Sequence, residues 1–463
     1  MKKIFSHLSL LLYLTSISLF AEQTSTAKDE NSYNVETLEN FKQQPTVNTF
    51  FTDSNLKVRF RNEYRNRDRE AASKRQSDAW VNGTFLDFTS GYWKNIIGFD
   101  ISYHRVDAIS SNPRKDSSFY LDGHSGFDHG AIPAIKLRYD NFDFKIGRFI
   151  TDYGYGGWEY EIPMINGSSI RPTPITVEGF FFSNKFNDNF SLYTLYTKRE
   201  IGSFDPGLKW DDAKVGVRNL SNELLDEKPK YSIGGVYDSK KGTILTLGSR
   251  YQEDVSNQFA SKFSKLIPLS DKKMVKIDAI GLYADIIGDT KKIVKNLPGS
   301  MNADSVYVYS GQLSYIQDKT VLFSAIGYVS DKVAPNTGIV TDITFVGDQT
   351  LDRIHADMFS YSFGSMYQFT PEFTAGISVP ITSGYLENEK IHKVEGIGLN
   401  FIFSYNVKSG PLDGVRFWGI LNRSEEKREQ DNGESKNYSN YDIKLVLQYD
   451  FDINYNSLYS VNK

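Results

Sequence analysis

No cysteine occurs among the 463 residues of this chain, which excludes disulfide frameworks, thiolate zinc sites, iron–sulfur clusters and a catalytic cysteine. An excess of one charge is also missing, because 53 Lys and Arg residues are balanced by 57 Asp and Glu residues. A nucleic-acid-binding domain needs a strongly basic surface, so we expect no nucleic acid as a partner. Beyond residue 21 no run of ~18 apolar residues occurs, which excludes a transmembrane helix from the mature chain.

The N-terminus has the layout of a secretory signal peptide over residues 1–21. A short basic start precedes the mainly apolar stretch 4–20, and Ala21 supplies a small residue for cleavage. An uncleaved membrane anchor is the less favoured alternative, since the apolar stretch is shorter than the ~20 residues that cross a bilayer. We therefore predict export from the cytoplasm. The polar residues 22–52 are predicted to form a periplasmic segment without a fold of its own.

Alternation of apolar and polar residues dominates the chain after residue 50. In residues 56–65 the apolar side chains fall on one face and the charged ones on the other, and residues 358–369, 397–406 and 441–451 alternate similarly. Such runs reach the ~9–11 residues that a tilted strand needs to cross a bilayer, whereas soluble strands average ~5–6. Because unpaired backbone groups are not tolerated in hydrocarbon, we predict an all-β fold, a closed transmembrane antiparallel β-barrel.

The aromatic content supports this prediction. The chain has 32 Phe and 29 Tyr residues, a composition that favours β structure over helix. Many aromatics lie near the ends of the alternating runs, as the girdles at the two membrane interfaces require. The predicted girdle residues are Tyr64, Trp80, Trp93, Tyr139, Tyr367, Phe369, Tyr405, Trp418, Tyr441 and Phe451.

We predict eighteen strands within residues 53–453, with sixteen as the alternative count. They are expected near 55–66, 77–89, 94–106, 132–140, 142–150, 174–183, 189–199, 213–219, 231–238, 243–252, 275–285, 305–316, 320–329, 357–369, 372–382, 393–406, 414–423 and 439–451. The weak run 213–219 is included because two periplasmic chain ends require an even count. Short connections are predicted to be periplasmic turns and long ones extracellular loops, namely 107–131, 151–173, 286–304, 330–356 and 424–438. Residues 454–463 are predicted to be a polar tail, which leaves Phe451 as the assembly signal.

The few histidines offer little chemistry. Residues 122–129 combine His124 and His129 with acidic residues, but their spacing matches no closed metal site, and we expect neither metal nor cofactor. Residues 123–126 do not complete a nucleophile elbow, because the second glycine comes one position early. His104 lies on a predicted strand, so one alternative function is a barrel hydrolase, a lipase or protease, built around it. An adhesive surface protein is another alternative.

Cationic side chains are predicted to line one wall of the lumen. The alternation places Lys57, Arg59, Arg61, Arg65, Lys136, Arg138, Lys145 and Lys444 on the lumenal face. In a closed barrel the last strand pairs with the first, so Lys444 should lie near the cations of residues 56–65. We therefore predict a column of positive charge on one wall; the alternative is that the charges are merely solvated or paired with acids such as Glu63 and Asp442. Such a column inside a low-dielectric wall would concentrate anions.

The order of several motifs resembles the OprD family of outer membrane porins. The likeness runs through residues 53–68, 77–80, 88–91, 98–100, 144–148, 169–173 and 441–453. It is best over the first third of the chain, and Ile170 separates Ser169 from Arg171 where the family joins serine to arginine directly.

The resemblance implies an eighteen-stranded barrel that inward-folded loops narrow, with a basic ladder guiding small carboxylate-bearing nutrients, amino acids among them. By position, residues 151–173 would form the constricting loop, Arg171 would project near the narrowest point, and residues 330–356 are a candidate for a second inward fold. We therefore predict a passive, substrate-preferring porin of the Gram-negative outer membrane. Its expected partners are outer-membrane lipid, lipopolysaccharide and small anionic or zwitterionic solutes, and its state is either a monomer or a homotrimer.

Overall fold

The computed structural model of the protein describes residues 49–70, 76–115, 120–151, 160–165, 174–202, 208–211, 213, 216–218, 224–295, 305–331, 344–347, 350–351, 355–387 and 391–454. Its first strands are β1 (Asn55–Arg69), β2 (Ser77–Thr89), β3 (Ile97–Ser111), β4 (Phe127–Tyr139), β5 (Phe142–Ile150), β6 (Thr176–Lys185) and β7 (Phe190–Ile201). Next come β8 (Gly216–Arg218), β9 (Leu224–Glu227), β10 (Lys230–Asp238), β11 (Thr243–Gln252), β12 (Ser256–Ser270), β13 (Lys273–Ile286) and the helix α1 (Gly288–Lys295). The remaining strands are β14 (Ser305–Gln317), β15 (Thr320–Val329), β16 (Ala356–Gln368), β17 (Phe373–Glu387), β18 (Ile391–Asn406), β19 (Val415–Glu429) and β20 (Ser435–Asn454). Within these described ranges, no helix is long and apolar enough to cross a membrane.

Eighteen of the strands form one antiparallel sheet that closes on itself, which confirms the predicted fold class and strand count. Strands that follow one another in the chain are neighbours in the sheet, except that β7 pairs with β10, because β8 and β9 form a separate hairpin. The last strand returns to the first, with Asn454 opposite Asn55 and Asn440 opposite Arg69. The closed sheet has no free edge, as hydrocarbon surroundings require.

The connections differ in length at the two ends of the barrel. At one end, the turn end, they comprise residues 90–96, 140–141, 186–189, 239–242, 271–272, 318–319, 369–372 and 407–414. At the other, the loop end, they comprise residues 70–76, 112–126, 151–175, 202–229, 253–255, 287–304, 330–355, 388–390 and 430–434. Short turns face the periplasm in barrels of this kind, and long loops face the outside.

One predicted barrel strand is wrong, and one barrel strand is absent from the prediction. The predicted strand near 213–219 is outside the barrel, since Gly216–Arg218 pairs with Leu224–Glu227 in the separate hairpin. The barrel instead contains β12, whose residues the sequence assigns to a connection, and β12 pairs with both β11 and β13. The two errors cancel in the total of eighteen, but they reverse the predicted directions of β10 and β11.

The predicted long loop 424–438 is also wrong, because two strands continue through most of it. β19 and β20 stay in register up to the pair Glu429 and Ser435, which leaves only residues 430–434 as a connection. Beyond Leu421 the outward positions of β19 change from apolar to charged, at Arg423, Glu425 and Lys427. The strands therefore extend past the apolar band, and the change in composition marks the membrane boundary rather than the strand end.

Apolar side chains cover the outside of the barrel, as a lipid-facing surface requires. The predicted girdle residues Trp80, Trp93, Tyr139, Tyr367, Phe369, Tyr405 and Tyr441 are exposed there. Trp418 is a correction, since its side chain faces the lumen, with its ring centroid 5.1 Å from Nζ of Lys444. Two aromatics adjoin at 417–418, and successive residues of a strand point to opposite faces, so only one of them can belong to the girdle.

Candidate functional site

Odd-numbered residues of β1 point into the lumen. Arg61, Glu63, Arg65, Arg67 and Arg69 are all buried, whereas the outward-facing Phe60 is exposed. This direction follows from the alternation of the strand and agrees with the prediction for Lys57, Arg59, Arg61 and Arg65. The closure of the barrel brings Lys444 opposite Arg65, also as predicted.

The cations of this wall are bridged in pairs by carboxylates, an arrangement that we call an ion triad. Nearest the turn end, Asp450 lies 2.7 Å from Nε of Arg59 and 2.6 Å from Nη2 of Arg416. In the middle, Glu63 lies 3.2 Å from Arg61 and 3.1 Å from Lys444. The first of these triads therefore spans the three neighbouring strands β19, β20 and β1, and the second spans β20 and β1.

A third ion triad lies at the loop end of the same wall. Asp442 accepts hydrogen bonds from Nε and Nη2 of Arg65 and lies 3.7 Å from Nε of Arg67. The phenol of Tyr120, from the connection between β3 and β4, accepts a 2.7 Å hydrogen bond from Nη1 of Arg65. Tyr120 and Leu121 are buried, so these two residues fold inward, and Tyr120 covers Arg65 of the third triad.

A fourth ion triad stands on β3, β4 and β5. Asp100 lies 3.1 Å from Nζ of Lys136 and 2.6 Å from Nζ of Lys145, which are register partners. Below it, the guanidinium of Arg138 hydrogen-bonds Asn95 and lies 4.0 Å from the ring centroid of Tyr92. Burial and the nearby Asp143 raise the pKa of the Tyr92 phenol, so it stays neutral under its two cations, Lys136 and Arg138.

The column of one sign is therefore wrong, and the alternative, pairing with acids such as Glu63 and Asp442, describes the wall. Every triad nevertheless carries one more cation than carboxylate. In the triad nearest the turn end, the arginine side chains are 28% and 39% exposed, whereas the side chain of Asp450 is 7% exposed. The carboxylate thus lies behind the cations, and the cations face the water.

Sequence reasoning missed Arg416 and Arg67, as well as Asp450 and Asp100. Arg67 continues the alternation of β1 by one step, so a longer predicted strand would have included it. Arg416 shares the inward face of β19 with Trp418, and placing that tryptophan in the lipid girdle hid it. The predicted residue Arg171 lies outside the described residues.

One described segment of the predicted constricting loop, residues 160–165, lies against the inner wall. Arg250 donates a 2.7 Å hydrogen bond to the carbonyl of Met164, and Lys262 donates one of 2.8 Å to the carbonyl of Glu161. A Cβ on the inward-facing Gly248 would overlap the carbonyl oxygen of Pro163. The backbone of the segment therefore approaches the wall more closely than a side chain at that position allows.

Residues 344–347 and 350–351 also fold inward, in agreement with the expectation for 330–356. The amide of Phe345 donates to Ser310 at 2.9 Å, and Asn400 donates to the carbonyl of Gly347 at 2.7 Å. Thr350 donates to Asn422 at 2.6 Å. The predicted apolar stretch 339–343 lies outside the described residues.

The wall formed by β14 to β18, which adjoins the triad strands β19, β20 and β1, has a different character. Among the described side chains of β14 to β18, the inward positions carry no Lys, Arg, Asp or Glu. They carry small polar side chains near residues 344–347 and 350–351, such as Ser310, Ser360, Ser362, Ser378 and Asn400. Near the turn end, an apolar cluster continues this wall to Trp418, and its members are Ile316, Val321, Phe323, Met366, Ile402 and Ile420.

The three histidines singled out in the sequence, His104, His124 and His129, all contact neighbouring side chains of the barrel or its connections. His104 is fully buried, with Nε2 3.0 Å from a carboxylate oxygen of Asp87 and its ring centroid 5.0 Å from that of Phe85. His124 hydrogen-bonds Ser111, while His129 is buried beside Phe127. Within the described residues, no three His, Asp or Glu side chains converge on a metal-sized site.

Comparison with known proteins agrees with this architecture. The family model described as outer membrane porin, OprD family, matches residues 48–293. The membrane-associated protein UidC of Escherichia coli K12 is 32% identical over 415 residues, covering 86% of this chain and 92% of that protein. The porin-like protein GalP of Pseudomonas putida is 22% identical over 421 residues, covering 83% and 92%. The solved structure of OpdK from Pseudomonas aeruginosa with vanillate superposes with a TM-score of 0.69 at 18% identity, covering 87% of this chain and all of that one.

Proposed function

We propose that this chain, which belongs to the OprD family of outer membrane porins, prefers small carboxylate-bearing solutes, amino acids among them. Its family and fold are those of a passive diffusion channel. The observation that carries the proposal is the order of charges in the ion triads. In the triad nearest the turn end, the cations Arg59 and Arg416 stand between Asp450 and the lumen. An anion in the lumen therefore meets positive charge first.

The triads attract anions although each contains an acid. With two cations and one carboxylate, each triad keeps a net charge of about +1, and a water-filled pore in a low-dielectric wall focuses that field on the solute. Arginine also presents five N–H donors in a planar fork that matches a carboxylate, so a guanidinium that already binds an acid retains donors. On β19, β20 and β1 the exposed guanidinium groups of Arg59 and Arg416 offer such donors to the lumen.

The uncharged wall supports solutes that carry an apolar part as well as a carboxylate. The apolar cluster at the turn end joins the triads through Trp418, whose ring centroid lies 5.8 Å from the guanidinium carbon of Arg61. A solute with its carboxylate on the triads would therefore place its remaining atoms beside apolar side chains. Vanillate, the ligand named with the OpdK structure, combines an aromatic ring with a carboxylate, and the likeness of fold is consistent with a similar class here.

The proposal predicts that the double variant Arg59→Gln with Arg416→Gln loses anion preference. Removing two exposed positive charges from the lumen should lower the anion-to-cation permeability ratio by about threefold or more, since each charge changes the local ion concentration by ~2-fold in a water-like dielectric. Reversal potentials across planar bilayers in a potassium chloride gradient measure this ratio.

A matched control removes two cations from the outside of β19, the strand that carries Arg416. Arg423→Gln with Lys427→Gln changes the net charge equally, but these side chains point away from the lumen. The control should keep the ratio of the unaltered protein. Equal ratios for the lumenal variant and the unaltered protein would rule out the proposed preference while leaving the channel itself intact.

A further inference from the structure

Three side chains donate hydrogen bonds to the carboxylate of Asp450. Its Oδ1 accepts the hydrogen bond from Nε of Arg59, and its Oδ2 accepts from Nη2 of Arg416 at 2.6 Å and from Nε2 of Gln448 at 2.8 Å. Both oxygens of the carboxylate are thus engaged, and its side chain is almost fully buried. It is a fixed charge at the base of the most exposed ion triad.

Two adjacent guanidinium groups without this acid would form a strong carboxylate clamp. Charge-assisted hydrogen bonds from two arginines are short and strong, and they release an anion slowly. A channel needs binding that is favourable enough to draw the solute in and weak enough to let it leave. Asp450 already offers the arginines the same chemical group that the solute offers.

We propose that Asp450 is a specificity-determining residue that acts as a built-in competitor of the permeating carboxylate. It shares Arg59 and Arg416 with the solute, which weakens solute binding and keeps the residence time short. This inference rests on the proposed carboxylate preference and adds to it the group that limits affinity. The same logic applies to Glu63, Asp442 and Asp100, but those carboxylates serve cations that are more deeply buried or covered.

A purely positioning role makes the opposite prediction. If Asp450 served only to hold the two arginines in place, its loss would let them turn away and would weaken anion binding. If it competes with the solute, its loss must strengthen anion binding. The sign of the change therefore separates the two roles.

The test compares Asp450→Asn with Asp452→Asn in the full-length protein in planar bilayers, with acetate as the probe. Asp452 lies two residues further along β20 and accepts a hydrogen bond from Asn55 at 2.8 Å. Both substitutions remove one negative charge at nearly the same depth, and both keep the size of the side chain. Two readouts are taken, the anion-to-cation permeability ratio and the acetate concentration at which the current is half-saturated. Slower migration of the unboiled sample on a gel reports misfolding.

We expect Asp450→Asn to lower the half-saturating acetate concentration by about threefold or more, as loss of competition for two charge-assisted hydrogen bonds implies, and Asp452→Asn to leave it nearly unchanged. A raised or unchanged concentration in Asp450→Asn overturns the inference, and so does an equal fall in both variants, which would be an effect of net charge alone. The double variant Arg59→Gln with Arg416→Gln separates failure of the proposed carboxylate preference from failure of the competitor role of Asp450. If that variant loses anion preference and Asp450→Asn does not bind acetate more tightly, only the competitor role fails.

Discussion

Arg65 lies at the loop end of β1, enclosed by Asp442 and by the phenol of Tyr120. Its side chain and that of Asp442 are almost fully buried, so neither charge can exchange its partner for water. A buried ion pair of this kind adds little net stability when intact, but the loss of one partner leaves an uncompensated charge. Arg65 is therefore a structural member of the basic wall, whereas Arg59 faces the solute path.

This difference predicts that Arg65→Leu destabilises the barrel strongly. We expect a loss of about 3–5 kcal/mol, because Asp442 keeps only its longer contact with Arg67. The urea midpoint of unfolding in detergent micelles, followed by tryptophan fluorescence, measures the loss. Arg105→Leu is the control, since Arg105 and Asp107 form an exposed pair, and we expect it to shift the midpoint little. Similar midpoints for the two variants would contradict the assignment of Arg65.

Alternation along single strands predicts the direction of a side chain but not its partner. It correctly places Lys57, Arg59, Arg61 and Lys444 on the lumenal face, because the period of a strand is two residues. Arg61 reaches Glu63 two residues along the same strand, but which second cation shares Glu63 depends on the register between β1 and β20, which brings Lys444 to it. Register is set by the whole sheet, so the sequence offers pairing with Glu63 and Asp442 as an alternative but does not show that each carboxylate is shared by two cations.

At the level of elements, β12 shows why one strand escapes prediction. Its outward face carries Phe259 and Phe263, but Ser261 stands between them and interrupts the apolar alternation. Its link to β11 is only residues 253–255, at the end where long loops are expected. Neither periodicity nor loop length therefore reveals β12. The run near 213–219 has enough apolar residues to resemble a strand, but β7 and β10 pair directly with each other.

The inward segment 160–165 gives a prediction at the same scale. In Gly248→Val the new side chain would occupy the space of the Pro163 carbonyl and push the segment from the wall toward the pore axis. We expect a lower single-channel conductance and an overpacking cost of about 1–3 kcal/mol. Gly311→Val on the outward face of β14 is the control, since the nearest atom to its Cβ is 3.8 Å away, and it should conduct normally. Normal conductance in Gly248→Val would show that the segment does not border the conducting path.

For the whole molecule, closure between β1 and β20 is the feature on which the lumen depends. The register places Asn62 opposite Leu447, and Phe417 opposite Leu447 on its other side. Positions across one strand spacing of ~4.8 Å fall within the ~7 Å limit for a disulfide, whereas positions two spacings apart do not. Because the chain has no cysteine, two introduced cysteines have no native thiol with which to form a competing disulfide.

We therefore predict that Asn62→Cys with Leu447→Cys forms a disulfide on mild oxidation. The bond would link residues near the two ends of the chain into one large covalent ring, which migrates differently on denaturing gels. Asn62→Cys with Phe417→Cys should not cross-link, because one strand separates the two positions. Cross-linking of the second pair but not the first would show that the strands close in another order.

The pairing of the first strand with the last also sets the order in which the molecule can be made. Export delivers β1 early and β20 at the end, so the hydrogen-bonding groups of β1 have no native partner until nearly the whole polypeptide has been translocated. A chain truncated before β20 would present two unpaired edges, at β1 and β19, and neither is compatible with a lipid environment. Insertion must therefore wait for β20, because only its pairing with β1 and β19 leaves the sheet without a free edge.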